Sequence, residues 1–317
     1  MKKIKMLTIP GITRRTMTYG LAALGATMLA PVGALEALAR DSDHLLRAIP
    51  SSGETIPAIG MGSWITFNVG DSEKLRNERL EVLRTFFDMG GTMVDSSPMY
   101  GTSEDVIGYC LDKLENDAKL FSATKVWTLT QSRGISQMEQ SESLWNVKAF
   151  DLMQIHNLLD WDSHIETLKI WKEQKRIRYI GMTTSHGRRH DDLEKVMKSK
   201  PLDFVQFTYN ILDREAEKRL LPVAADQGLA VICNRPFRQG ALLDMFQHKP
   251  LPVWAGEIDC RNWPQFLLKF IVSHPAVTCA IPATTRVDHM QENMGALKGN
   301  LPDQKMRQRM IKYVEGL

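Results

Sequence analysis

Short apolar runs alternate with longer stretches of helical periodicity over most of the chain. Eight runs have the length and composition of buried strands, with polar or turn-forming residues at their ends; they are residues 56–63, 92–96, 120–126, 150–156, 177–183, 203–209, 229–234 and 278–282. Short, continuously apolar runs are typical of parallel strands that are covered on both faces. The pattern therefore predicts eight parallel strands.

Helical patterns separate the eight runs. The first is predicted to begin near Asp71, a candidate N-cap, and to end at the glycine pair 90–91. Further helices are predicted over residues 161–174, 214–227 and 303–313. Eight strands that are each followed by a helix predict an α/β fold, a closed (β/α)8 TIM barrel. An open, doubly wound sheet is the alternative, but no G-x-G-x-x-G motif follows the first strand.

Two segments lie outside this alternation. Residues 47–56 predict a short N-terminal hairpin that turns at Ser52-Gly53 and plugs the bottom of the barrel. Residues 237–262 form a long stretch without clear periodicity, which we expect to be an irregular loop over the mouth of the active site.

The N-terminus has the features of a targeting segment. Arg14-Arg15 precede a mild apolar run, residues 19–32, and Ala37-Leu38-Ala39 form a small-residue cleavage pattern. This arrangement resembles a twin-arginine signal, and the run is too short and weak for a comfortable membrane span. We expect residues 1–39 to be a signal peptide and residues 40–317 the barrel. The resemblance implies the Tat export machinery as a partner, cleavage after Ala39, a periplasmic location and no stable membrane insertion. An uncleaved anchor or a chance arginine pair are the alternatives.

Composition and charge narrow the function. Of the 317 residues, 43% are hydrophobic and 24% charged, which allows a sizeable core. The formal net charge is +3, and residues 1–39 contribute five basic side chains against one acidic, so the remaining chain is close to neutral. A near-neutral chain lacks the excess of positive charge that is typical of nucleic-acid-binding proteins. The four cysteines show no C-x-x-C spacing and are expected to be buried thiols, although an oxidising compartment leaves a disulfide open.

Charged and polar residues end three consecutive predicted strands. Asp95 ends the second strand, Lys125 the third and His156 the fourth, while Tyr100 follows in the loop after Asp95. The carboxyl ends of barrel strands share one face, where barrel active sites lie. Each residue alone is explained by a solvated, capping or core role. Together they predict that an acid, an amine, an imidazole and a phenol converge.

The local sequence around these residues resembles a known family. Residues 95–108 resemble the signature of the aldo-keto reductases: an Asp, here Asp95, a Tyr five positions on, here Tyr100, then G-x-S-E-x-x-I-G, which ends at Gly108. Thr124-Lys125 and residues 154–157 match the lysine and histidine motifs of the family. The resemblance extends from about residue 56 to about residue 297. It implies NAD(P)H-dependent reduction of an aldehyde or ketone to an alcohol.

The resemblance also implies a role for each catalytic residue. Tyr100 would be the general acid, and Lys125 would lower its pKa by favouring phenolate. Asp95 would hold Lys125 in position, and His156 would orient the carbonyl and donate a hydrogen bond to the developing alkoxide.

Cofactor and substrate residues follow from the same resemblance. The cofactor residues would be Thr183, Gln206, Arg235, Arg286, Glu292 and Asn293. NADP(H) is favoured over NAD(H) on Arg286 alone, whose planar fork suits a 2′-phosphate. This chain departs from the family pattern at Thr184, where an asparagine is common, at Arg235, where an aromatic is common, and at Ala283, where a lysine is usual. Trp64, Trp127 and Trp161 are candidates for an apolar substrate pocket.

Two other functions remain open. The chain could be exported with tightly bound NADP(H) and carry out redox-neutral chemistry, or serve as a binding or sensing protein. A metal-dependent hydrolase would use His156, His186, His190 and Asp95. Two arginines, residues 188 and 189, separate the second and third of these, so no metal is expected.

Overall fold

An antiparallel hairpin begins the part of the chain that the computed structural model describes, residues 44–114 and 120–317. Strand β1 (Leu46–Ala48) pairs with β2 (Thr55–Pro57). The turn between them contains Gly53, whose φ of +75° favours glycine. The apolar residues Ile49 and Ile56 share a core cluster with interior side chains of the strands that follow. The predicted hairpin is therefore confirmed.

Eight parallel strands form the second sheet. They follow chain order from one edge to the other: β3 (Met61–Gly62), β4 (Met93–Asp95), β5 (Phe121–Val126), β6 (Phe150–Ile155), β7 (Ile177–Thr183), β8 (Phe204–Thr208), β9 (Ala230–Asn234) and β10 (Cys279–Ala280). A parallel bridge from Ile59 to Ala280 joins the two edges. Around it, Gly60 N donates to Ala280 O and Ala280 N to Ala58 O, each at 2.9 Å. The predicted (β/α)8 barrel is confirmed.

Helices lie between and after the strands, and their buried residues form the larger of two apolar cores. They are α1 (Glu73–Asp88), α2 (Ser103–Leu114), α3 (Gln131–Trp145), α4 (Trp161–Glu173), α5 (His190–Ser199), α6 (Leu220–Asp226), α7 (Ala241–Phe246), α8 (Trp263–Val272), α9 (Val287–Met294) and α10 (Gln304–Glu315). The smaller core fills the barrel itself. No helix of the described residues is long and apolar enough to cross a membrane.

Three predicted boundaries were wrong. The first strand run is divided between β2, which pairs with β1 in the hairpin, and β3, which pairs with β4 in the barrel. Ser72, not Asp71, caps α1: its Oγ accepts from Leu75 N at 3.4 Å, whereas Asp71 pairs with Arg76. The helix predicted over residues 214–227 is a 3-10 turn, Glu215–Glu217, followed by α6, whose Pro222 lies in the first turn, where its missing N–H is tolerated.

The segment 237–262 is not an irregular loop. It contains α7 between two 3-10 turns, Arg238–Gly240 and Val253–Ile258. Phe246 stacks on Trp263 of α8 at 4.8 Å, and Tyr313 of α10 donates a hydrogen bond to the carbonyl of Pro250. These contacts hold much of the segment in the outer helical layer.

All four cysteines are buried and free, as expected. Burial raises the pKa of Cys110 and of Cys260 to about 12, so these thiols stay protonated. The predicted signal peptide, residues 1–39, lies outside the described residues.

Candidate active site

The four predicted catalytic residues lie together at the carboxyl end of the barrel. Asp95 is the last residue of β4, Lys125 is the penultimate residue of β5, and His156 directly follows β6. Tyr100 closes a one-turn 3-10 helix, Pro98–Tyr100, whose proline fixes the backbone just after β4. Parallel register brings Asp95 opposite Ala123 and Lys125 opposite Gln154. The sequence pattern thus predicted this convergence correctly.

A buried ion pair forms the base of the site. Lys125 Nζ lies 2.5 Å from Asp95 Oδ2 and 2.7 Å from the carbonyl oxygen of Ser96, and both charged side chains are almost fully buried. The other carboxylate oxygen of Asp95 accepts from Gln154 Nε2 at 2.9 Å and from Gln206 Nε2 at 3.0 Å. Burial is the largest single effect and acts to lower the pKa of Lys125, but Asp95 and Tyr100 together outweigh it and the pKa is raised. Lys125 is therefore an ammonium.

Tyr100 lies beside this ammonium. Lys125 Nζ is 5.2 Å from the centroid of the tyrosine ring. Burial raises the pKa of Tyr100, and the charge of Lys125 opposes this effect without overcoming it. The expectation that Lys125 lowers the pKa is right in direction, but the net shift is upward because desolvation of the phenolate is larger. Tyr100 is therefore protonated at neutral pH, as a proton donor must be.

His156 is a neutral imidazole. Burial, reinforced by the charge of Lys125, lowers its pKa to about 2. Its Nδ1 lies 2.8 Å from Ser97 Oγ, and its ring meets that of Tyr100 edge-on at 5.7 Å. A neutral histidine can donate one hydrogen bond, but it does not compete with Tyr100 as an acid.

Two of the three predicted pocket tryptophans border the catalytic residues. The ring of Trp64 is 6.4 Å from that of Tyr100, and the ring of Trp127 is 6.5 Å from that of His156. Trp127 is 40% exposed, so its face is open to a ligand. Trp161 instead lies under Lys200, whose Nζ is 5.3 Å from its ring. The structure therefore brings together Trp64 and Trp127 but not Trp161.

The predicted cofactor residues lie at the end of β7, in the middle of β8, just after β9, and at both ends of α9. Thr183 Oγ1 accepts from Asn157 N at 2.9 Å, and Gln206 donates to Asp95, so both already have protein partners. Arg286 is the N-cap of α9 and forms two hydrogen bonds with Asp288, one of 3.0 Å. Asn293 is buried in the same helix, and Glu292 beside it is partly buried.

Several buried polar atoms have no partner among the described residues. They include Thr184 Oγ1, just after β7, and Arg235 Nη1, just after β9. Asn234 Nδ2 donates to the carbonyl of Thr184 at 2.9 Å, which links the two strand ends. Burying unpaired polar atoms is costly, so these groups fit a ligand with complementary polar atoms, such as the amide or phosphates of a dinucleotide.

Sequence reasoning missed three residues of the site. Gln154 donates a hydrogen bond to Asp95, and Ser97 forms one with His156. Asp288 forms an ion pair with Arg286. The first two lie inside the motifs that identified the catalytic residues, but no spacing rule shows which polar neighbour faces inward. Within residues 44–114 and 120–317, no group of three or more His, Cys, Asp and Glu side chains is arranged to hold a metal ion.

The carboxyl end of this barrel brings together a phenol, an ammonium–carboxylate pair and a neutral imidazole. These are the groups that a carbonyl-reducing oxidoreductase needs. A model of the aldo/keto reductase family matches residues 58–312. The chain therefore belongs to the aldo/keto reductase family, and it is an NAD(P)H-dependent oxidoreductase.

Curated relatives agree with this assignment, and solved structures agree with the fold. A methylglyoxal reductase of Escherichia coli is 25% identical over 261 residues, which are 80% of this chain and 90% of the relative. An NADH-specific methylglyoxal reductase of the same organism is 25% identical over 308 residues, covering 78% and 92%. An aldo/keto reductase from Klebsiella pneumoniae, solved with NADP and acetate, has a TM-score of 0.68 at 23% identity, covering 82% and 92%. A holo aldo-keto reductase from Bacillus halodurans has a TM-score of 0.71 at 19% identity, covering 85% and 96%.

Proposed function

We propose that this enzyme reduces an aldehyde or ketone to an alcohol, with Tyr100 as the general acid. The observation that carries the proposal is the buried Lys125–Asp95 pair directly beside a protonated Tyr100 and a neutral His156. These groups meet at the carboxyl end of the barrel, where barrel enzymes have their active sites.

Each side chain has a defined task in this reaction. The dinucleotide, when bound, supplies the hydride. Tyr100 donates its hydroxyl proton to the carbonyl oxygen, and the fixed ammonium of Lys125 stabilises the phenolate that remains. Asp95 keeps Lys125 charged and in place, and His156 directs a hydrogen bond at the oxygen on which negative charge develops.

The cofactor is proposed to be NADP(H), as Arg286 suggested. The guanidinium of Arg286 is exposed, and Asp288 occupies its Nε–Nη2 edge, while no described residue bonds Nη1. A 2′-phosphate would then bind at the Nη1 side of Arg286, near the Asp288 carboxylate that repels it. Arg235 and Thr184, with their unpaired buried atoms, are proposed to contact the rest of the dinucleotide.

The substrate is proposed to be a small carbonyl compound. Two relatives are methylglyoxal reductases, which supports an oxoaldehyde as the first compound to assay. Trp64 and Trp127 beside the catalytic residues would pack against its apolar part.

We also propose that residues 1–39 direct the folded enzyme through the Tat route and are removed after Ala39. The paired Arg14-Arg15 and the pattern Ala37-Leu38-Ala39 support this proposal.

The deciding experiment replaces Tyr100 by phenylalanine. Turnover of methylglyoxal with NADPH is expected to fall roughly a hundredfold or more, because the transferred proton is lost. The dissociation constant of NADPH, measured by fluorescence, should stay close to that of the unchanged enzyme. Tyr109→Phe is the matched control, since its hydroxyl bonds Asn77 on the outer helices. A Tyr100→Phe enzyme that keeps most of its turnover would remove Tyr100 from the mechanism.

A further inference from the structure

Ser97 lies between the turn that carries Tyr100 and the ring of His156. It caps the 3-10 turn that ends in Tyr100, and its Oγ accepts a hydrogen bond from Met99 N at 3.2 Å. Its side chain is fully buried, and the same Oγ lies 2.8 Å from His156 Nδ1. Ser97 thus joins the tyrosine turn to the catalytic histidine.

The hydrogen bonds of Ser97 indicate whether Ser97 Oγ or His156 Nδ1 carries the hydrogen that lies between these two atoms. Among the described residues, His156 Nδ1 is the only hydrogen-bond partner of Ser97 Oγ besides the N–H of Met99. The hydroxyl hydrogen therefore has one acceptor, the imidazole nitrogen. If Nδ1 carried the proton and donated instead, the buried hydroxyl hydrogen would have no acceptor, which is unfavourable.

From this geometry we propose that Ser97 is a positioning residue that fixes His156 in the tautomer with its hydrogen on Nε2. A neutral imidazole with Nδ1 as acceptor must carry its one hydrogen on Nε2. No described residue forms a hydrogen bond with Nε2, so this N–H is left for a substrate oxygen.

The inference deepens the proposed function and rests on it for its catalytic meaning. In the other tautomer, Nε2 would carry a lone pair in place of a hydrogen. It would then repel the carbonyl oxygen instead of donating a hydrogen bond to it. Ser97 would then contribute to turnover without touching substrate, in the way that a partner on the distal nitrogen orients a ligating imidazole.

The direct test is a nitrogen-15 NMR spectrum of the histidine side chains at neutral pH. The His156 signals are assigned by their disappearance in His156→Gln. We expect a protonated Nε2 and an unprotonated Nδ1 in the unchanged protein, and a mixture of both tautomers in Ser97→Ala. A protonated Nδ1 in the unchanged protein, or an unaltered tautomer in Ser97→Ala, would overturn the proposal.

Kinetics provide the second readout. Ser97→Ala should lower kcat roughly tenfold or more, with little change in the dissociation constant of NADPH. Ser97→Thr, which keeps the hydroxyl on an extended backbone, should restore both the tautomer and most of kcat. Ser141→Ala is the control for loss of a buried hydroxyl, because Ser141 bonds Glu104 on the outer layer. A kcat in Ser97→Ala equal to that of Ser141→Ala would contradict a role in turnover.

The tautomer can be measured without any catalytic assay. If no carbonyl compound is turned over but Nε2 is protonated, the proposed function fails and the assignment to Ser97 stands. Should Ser97→Ala fail to fold, the spectra of the unchanged protein and of Ser97→Thr still decide.

Discussion

Tyr100 and His156 are both neutral because they are buried, but burial has opposite effects on their pKa values. Desolvation disfavours the charged form of each, so it raises the pKa of the phenol and lowers that of the imidazole. Lys125 adds an ammonium to both, which favours phenolate and further disfavours imidazolium. Desolvation therefore keeps both groups neutral, and Lys125 opposes it at Tyr100 but reinforces it at His156.

Keeping His156 neutral has a cost for stability in acid. Its pKa falls from 6.5 to about 2 on folding, so below pH 6.5 the unfolded chain takes up a proton that the folded protein does not. This group therefore lowers the free energy of unfolding by up to about 1.4 kcal/mol per pH unit as the pH falls below 6.5. We expect His156→Gln to lose less stability than the unchanged protein between pH 7.5 and pH 5.5, as measured by urea unfolding. The exposed His248→Gln is the control, and equal losses in all three proteins would contradict this account.

We expect Asp288 to weaken the binding of NADP(H) in the proposed site. Its carboxylate occupies the Nε–Nη2 edge of Arg286, which leaves the Nη1 side for a 2′-phosphate, and its negative charge repels the phosphate. Asp288→Asn is expected to bind NADPH severalfold more tightly and to leave the affinity for NADH nearly unchanged, as measured by titration calorimetry. Arg286→Ala should weaken NADPH binding only. Parallel changes for both dinucleotides would show that the pair does not face the 2′ position.

At the scale of elements, Gly108 lets α2 and α3 approach closely. A Cβ at this position would overlap the carbonyl oxygen of Leu144, a backbone atom of α3 that cannot rotate away. We expect Gly108→Ala to lower the free energy of unfolding by about 3 kcal/mol, at the upper end for overpacking. Gly256→Ala, where an added Cβ has no neighbour within 4 Å, should change it little. Thermal or urea unfolding of the two variants tests the contrast, and similar stabilities would be evidence against this tight helix contact.

The elements were predictable where burial determined them. Strand β7 was predicted with its observed ends, and the other barrel strands after β3 within two residues at each end, because buried parallel strands leave continuous apolar runs. The sequence could not divide residues 56–63 between hairpin and barrel, since both parts are buried. It also missed the helical character of residues 237–262, where packing on Trp263 and Tyr313 stabilises short turns with weak local signals.

The charged and aromatic residues of the candidate site could be predicted from the sequence, but their hydrogen-bond partners could not. Asp95, Lys125 and His156 were found because each interrupts an apolar run at a strand end. Ser97 and Gln154 were missed as partners because a neutral polar side chain gives no such signal. Their roles depend on which way each side chain points, and that is determined only when the strands pair.

The whole molecule depends on residues that are far apart in the chain. The bridge from Ile59 to Ala280 joins the first barrel strand to the last, and Gln206 of β8 donates to Asp95 of β4. The barrel cannot close before Ala280 has been synthesised, and the Asp95 network cannot be complete before Gln206. An export route for folded proteins suits such a molecule, because it can acquire its cofactor before transport.

Replacing both signal arginines, with Arg14→Lys and Arg15→Lys together, tests the proposed export. Twin-arginine recognition depends on the pair, so the double variant should remain in the cytoplasm at full length. The unchanged protein should be recovered from the periplasm with Arg40 as its first residue. Fractionation and intact-mass measurement distinguish the two, and equal periplasmic recovery would rule out this signal.

Nucleotide released from the periplasmic protein on denaturation would show that the protein is exported with its cofactor bound. A tightly held, non-exchanging dinucleotide would then favour redox-neutral or sensing chemistry, whereas free exchange would favour repeated carbonyl reduction.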